Sequence, residues 1–239
     1  MFLDDFYCQQ DNSFQFSQQQ ASRFAKEIAK DFNKIHDVDD KRFCVPGDLL
    51  FAVTLAKHGL YKNMQIQFTG MVKNDVALEF ITPADNELEI VNQKQQALLK
   101  MQTVGEANRE EALIQKIIKD YVSFSGRNFP EILVPIMERE NFMFSPTRGL
   151  IMYKSMEINM QRIDIDNVSL EYDCTEVEMN GKRATVFFKF KFFDGEELVG
   201  TGQKEMILSG VVPFEKAAVD NIVDMFKAAK KAYQVGELI

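Results

Sequence analysis

The chain has only two histidines in 239 residues. One of them, His36, follows Asp31 in the stretch "DFNKIH", with Asn33 between them. A carboxylate and an imidazole that share a cleft can divide the work of general base and general acid near neutral pH. Further on, "VPGDLL" places Gly47 where a helix should begin. A glycine there can present an unobstructed backbone N–H to a developing oxyanion. Asp31, His36 and Gly47, supported by Asn33, are therefore the candidates for proton transfer next to a polarised carbonyl. The second histidine, His58 in "AKHG", falls at a helix end where a cation is favoured, and is expected to be structural.

These residues need elements to hold them. "SFQF" at 13–16 has the look of a short strand, and Ser17 with Gln20 makes a capping box in front of "QQQASRFAKEIAK". Phe24, Ala25, Ile28 and Phe32 recur at helical spacing, so Asp31 closes an amphipathic helix. A loop from 33 to 45 carries His36. Pro46 suits a first helical turn, and "GDLLFAVTLAKHG" is apolar nearly all round with Gly59 as its stop, which predicts a buried helix over 46–58. From Asn63 the period changes to two in "MQIQF", "VALEF", "ELEIV" and "ALLKMQTV", separated by turn residues, which predicts an antiparallel meander.

The same order then returns. "REEALIQKIIKDYV" at 109–122 carries a helical stripe, and "FPEILVPIMERE" is an apolar segment. Four strand-like runs follow, the last three separated by turns at Asn180-Gly181 and Asp194-Gly195. An amphipathic helix over about 214–233 closes the series. The spacing divides the chain into two units, residues 1–107 and 108–239, of one supersecondary order. The expected class is α+β, and the expected architecture a double hot dog: two antiparallel sheets, each wrapping a central helix, at 46–58 and about 130–140.

Composition narrows the partners. A formal charge of -8 without a run of like charges argues against nucleic acid and against an anionic membrane surface. No apolar stretch approaches the ~20 residues that span a bilayer. The opening "MFLDDFYCQQ" is acidic where a secretory leader would be basic, so a cytoplasmic location is expected. Cys8, Cys44 and Cys174 form neither a disulfide framework nor a zinc motif, and no metal site is expected. The alternating "FFKFKFF" at 187–193 reads as a half-buried strand with a basic outer face.

With these elements in place, "RFAKEIAKDFNKIHDVDDKRFCVPGDLL" resembles the MaoC-like hot-dog hydratases and dehydratases, including the (R)-specific enoyl-CoA hydratases. Asp31, Asn33, His36 and Gly47 match that family's order, and "FTGMVKND" at 68–75 resembles its strand and turn after the central helix. Ala29-Lys30, Lys34 and Asp48 depart from its pattern. Asp48 stands where those enzymes usually carry an apolar residue. The resemblance implies hydration or dehydration of a 2-enoyl or 3-hydroxyacyl thioester of coenzyme A or acyl carrier protein, by a monomer or homodimer with no further cofactor. Asp31 and His36 would hold the water and Gly47 N–H would polarise the carbonyl. A binding module for acyl thioesters or fatty acyl chains and a hot-dog thioesterase are the competing readings. In the second unit "FSGRNFPEI" keeps no Asp and His. That unit is expected to supply an apolar wall from Phe129, Pro130, Leu133 and Met137. The whole chain also resembles a bacterial family of unassigned activity carrying "FSxQQASRFAK", "RFCVPGDLLFA" and "FSGxNFP".

Overall fold

The computed structural model describes residues 1–146 and 149–236. Ser17 accepts a hydrogen bond from Gln20 N at 3.2 Å while the Gln20 side chain accepts from Ser17 N at 3.1 Å, so the capping box forms. It opens α1 (Gln18–Arg23), which runs on into a π-helical turn over Phe24–Ala29. The wider turn ends on Lys30, which takes the left-handed conformation at φ 57°. Helix α2 (Gly47–His58) has Pro46 as its N-cap and is buried without interruption from Asp48 to Leu55. A helix buried on every side must be covered all round, and strands of one sheet supply part of that cover, with Tyr153 over Gly47 and Phe80 against His58.

That sheet is antiparallel throughout and large. Strands β1 (Cys8–Gln10), β2 (Ser13–Gln15), β3 (Leu60–Phe68), β4 (Leu78–Ile81), β5 (Glu87–Asn92) and β6 (Ala97–Asn108) come from the first half. A two-stranded ribbon of β7 (Met143–Phe144) and β12 (Val211–Val212) stands apart. The second half of the large sheet is built from β8 (Leu150–Met160), β9 (Val168–Asn180), β10 (Arg183–Asp194) and β11 (Glu197–Ser209). The order across the sheet is β1-β2-β4-β5-β6-β3-β8-β11-β10-β9. The two halves therefore join along one seam, β3 against β8, in register from Asn63–Asn159 to Gln67–Ser155. The alternation in "FFKFKFF" resolves as expected: Phe188, Phe190 and Phe192 are buried, while Lys189 and Lys191 pair with Glu176 and Asp173 on the outer face.

The helix on the second-half strands is not the apolar run at 130–140. Helix α3 (Glu111–Gly126) packs on the second-half strands, with Tyr121 and Phe124 against Phe190 at ring distances of 5.8 and 5.3 Å. The segment 128–139 is a π turn followed by a short α4 (Leu133–Arg139). The stripe on α3 was wide enough to bury both Leu113-Ile114 and Ile117-Ile118, whereas "ILVPIM" holds a proline that limits helix length. Gly126 closes α3 against the first half, since a Cβ there would overlap the Ala29 carbonyl oxygen. Helix α5 (Lys216–Gln234) lies outside, with Phe226 and Tyr233 against Phe32. Among the described residues no helix is long and apolar enough to cross a membrane.

Candidate active site

The π turn determines how Asp31 leaves its helix. Asp31 N donates to Ala25 O at 2.8 Å, which closes the turn, and the Asp31 carboxylate then accepts from Asn33 N at 2.8 Å. Asn33 Oδ1 accepts from Ile35 N at 3.2 Å and so caps a single 3-10 turn over Lys34–His36. Cys44 N donates to Ile35 O at 3.0 Å, bringing the two arms of the loop together. The His36 ring is fixed by the same arm, with Nδ1 2.7 Å from Cys44 O. A carbonyl can only accept, so in the neutral ring the hydrogen is on Nδ1 and Nε2 carries a lone pair. That lone pair is 3.7 Å from Asp31 Oδ2. Two acceptors at that separation leave a position where one water can donate to both.

Asp31, Asn33, His36 and Gly47 all line one cavity of about 260 Å³. The cavity straddles the seam of the sheet. Its apolar wall comes from Phe68, Met71 and Val72 on one side and Ile151, Met206 and Ile207 on the other. Phe129, Pro130, Leu133 and Met137 do not line it, which corrects the expected wall. Met137 is fully buried, and Phe129 packs instead on Phe144 and Phe226, because the π turn that carries it lies against β7 and α5. The second half does contribute, through β8 and β11. Cys44 also lines the cavity, and burial pushes its thiol above the ordinary range.

The base of the cavity holds a polar cluster that sequence reasoning did not assemble. Gly47 lies under the Tyr153 ring, where a Cβ would stand 2.7 Å from Tyr153 Cδ1, so only glycine permits the approach. Asp48, the next residue, is 8% exposed. Its Oδ2 accepts from Ser125 Oγ at 2.5 Å, and its Oδ1 accepts from Tyr121 at 3.2 Å and from Lys204 Nζ at 3.4 Å. Lys204 also donates to Ser125, and the Tyr121 and Tyr153 hydroxyls are hydrogen-bonded to each other. Burial, with the Asp48 charge beside them, pushes both phenols well above their ordinary range, so they stay protonated donors. Two signals for this cluster were present in the sequence: Asp48 itself, polar where the resembled enzymes are apolar, and Lys204 at the inward register of β11 in line with Gly200 and Gly202. His58 is no exposed helix-end cation either. Its ring lies 4.7 Å from that of Phe80, and burial, with Arg109 and Lys57 nearby, lowers its pKa.

Residues 1–217 match the sequence profile of a family described as Protein of unknown function (DUF3581). The chain belongs to the DUF3581 family. Its profile ends as α5 begins, so it includes every residue of the cavity. No curated protein matches the chain in sequence. Among solved structures, the chain is similar to a conserved hot-dog protein of unknown function from Alicyclobacillus acidocaldarius at 9% identity and TM-score 0.48, covering 90% of this chain and 99% of that one. It is similar to an acyl-CoA thioesterase II from Mycobacterium marinum at 12% identity and TM-score 0.42, covering 90% and 100%. A MaoC-like dehydratase is similar at 7% identity and TM-score 0.42, covering 84% and 97%.

Proposed function

We propose that this member of the DUF3581 family is a double hot dog that hydrates a 2-enoyl thioester, or dehydrates the corresponding 3-hydroxyacyl thioester, carried on coenzyme A or acyl carrier protein. In this reading α2 and α3 are the two central helices, and the units divide between β6 and α3. The strand order supports it, because outward from the seam β3-β6-β5-β4 on one side is mirrored by β8-β11-β10-β9 on the other. The observation that carries the chemistry is the placement of Asp31 Oδ2 and His36 Nε2, 3.7 Å apart, on the cavity that also receives the start of α2.

The steps follow from that placement. A water held between the two acceptors is aimed by them, and His36 Nε2 takes its proton as the oxygen bonds to C3. Electrons move to the thioester oxygen, where the N–H groups at the start of α2 oppose the developing charge. The proton held by the pair is then returned to C2, so one water is added across the double bond from one face. The apolar wall on either side of the seam accommodates the acyl chain. Hydrolysis by Asp48 is less well supported, because its two oxygens already accept from Ser125, Tyr121 and Lys204.

The direct test is the loss of enoyl absorbance with crotonyl-CoA and longer trans-2-enoyl-CoA substrates, repeated with the same acyl groups on carrier protein. Turnover is expected, with deuterium entering C2 in heavy water. A protein inactive on every chain length and both carriers would remove the hydratase reading.

A further inference from the structure

Beside the proton pair, the lining of the cavity includes a buried cation, Lys204. Lys204 is 4% exposed, lines the cavity, and comes from β11 in the second half. An ammonium has three N–H donors. Two are used inside the protein, one on Asp48 Oδ1 at 3.4 Å and one on Ser125. The nitrogen also stands 4.2 Å from the centre of the Tyr153 ring. That ring is the one that covers Gly47. The lysine is thus held beside the start of α2 by three side chains, with one donor left over. Burying such an ion pair is costly unless its geometry and hydrogen bonds offset the loss of water, and packing alone would be served as well by apolar residues.

We propose that Lys204 is a substrate-contacting residue whose third N–H donates to the thioester carbonyl oxygen, beside the backbone N–H groups at the start of α2. Asp48, Ser125 and Tyr153 are its positioning residues. The Asp48–Lys204 pair is neutral as a whole, so the site receives a neutral carbonyl without a second full charge and still meets the enolate oxygen with a fixed cation when electrons arrive there. In the proposed hydration this shares the oxyanion between the two halves: the first half supplies the proton pair and the helix start, the second the lysine.

This inference rests on the thioester reading of the cavity, and binding separates the two. Butyryl-CoA carries the carbonyl oxygen. S-butyl-CoA, the thioether, lacks it. Calorimetric titration of the whole chain with each should show the thioester bound about tenfold or more tightly, the usual worth of a hydrogen bond from a charged donor. Lys204→Met alone would strand Asp48, so the test variant is the charge-neutral pair Asp48→Asn with Lys204→Met, its folding checked by its thermal midpoint. That variant should lose about tenfold of this discrimination, keeping only what the N–H groups at the start of α2 supply, and should lose turnover, with kcat falling more than KM rises. Discrimination undiminished in the folded double variant would overturn the role of Lys204 and leave the thioester reading standing. Equal binding of both ligands by the wild type would overturn the carbonyl contact of Lys204 and of the helix start alike. No binding of either ligand would overturn both.

Discussion

Replacing Asp31 by Asn keeps the side-chain shape and an oxygen for the Asn33 N–H, but removes one acceptor charge from the water position. Replacing His36 by Ala removes the lone pair at Nε2. Each change alone should lower the hydration rate by about 10² to 10⁴, the range for a positioned acid or base. The double variant should be little slower than the worse single one, because in the proposed hydration both groups act on the same water. Unchanged rates in both single variants would clear the pair of the role. His58 gives a separate expectation at this scale, for stability. Its folded pKa lies below the ordinary 6.5 because the ring is buried. The unfolded chain therefore takes up a proton that the folded chain resists, so stability is full above about 6.5 and declines as pH falls through that value. His58→Phe keeps the ring contact with Phe80 and should flatten the fall in unfolding midpoint between about pH 7.5 and about pH 5.5. An equal fall in both proteins would exclude His58 as its source.

At the scale of elements, the loop bearing Asp31 and His36 is held from two sides. Gly126 of α3 rests on the Ala29 carbonyl, two residues before Asp31. A methyl group there cannot be accommodated by a side-chain rotation, so Gly126→Ala should cost about 3 kcal/mol, the upper end for overpacking, and should also lower activity by displacing the π turn. Denaturant midpoints and rates measured together would test this; a stable, active variant would mean that α3 can retreat. From the other side, α5 places Phe226 and Tyr233 on Phe32, and Tyr233 donates to Glu27 at 2.9 Å. Phe226→Ala should cost about 1 to 2 kcal/mol from lost ring packing, with a smaller loss of rate than either change at the pair. The first-half elements were legible because their signals are local: a capping box, a proline at the N-cap of α2, a change of period at the meander. The second buried helix was not. An amphipathic stripe does not reveal whether its partner is a sheet or solvent, and the more apolar segment after it proved to be a short flank.

Across the whole molecule, the sequence order suggests a repeated unit, and outward from the seam the strands run β3-β6-β5-β4 on one side and β8-β11-β10-β9 on the other. The site was half legible for the same reason. Asp31, Asn33, His36 and Gly47 lie within seventeen positions of one another, close enough for spacing to suggest a common site. Asp48, Ser125, Tyr153 and Lys204 come from α2, α3, β8 and β11, and only the assembled fold puts them in contact. The seam has a consequence of its own. Five residue pairs hold β3 to β8, against eight between β3 and β6 and ten between β8 and β11, so it is shorter than the junction on either side of it. A ligand that touches both banks would act as a clamp across that joint. Its binding energy would appear as added coupling between the two halves, beyond the contacts of Asp48 with Tyr121, Ser125 and Lys204 that already join them. Amide exchange along β3 and β8 should slow on adding butyryl-CoA, and the denaturant transition should steepen as two partly independent openings merge into one.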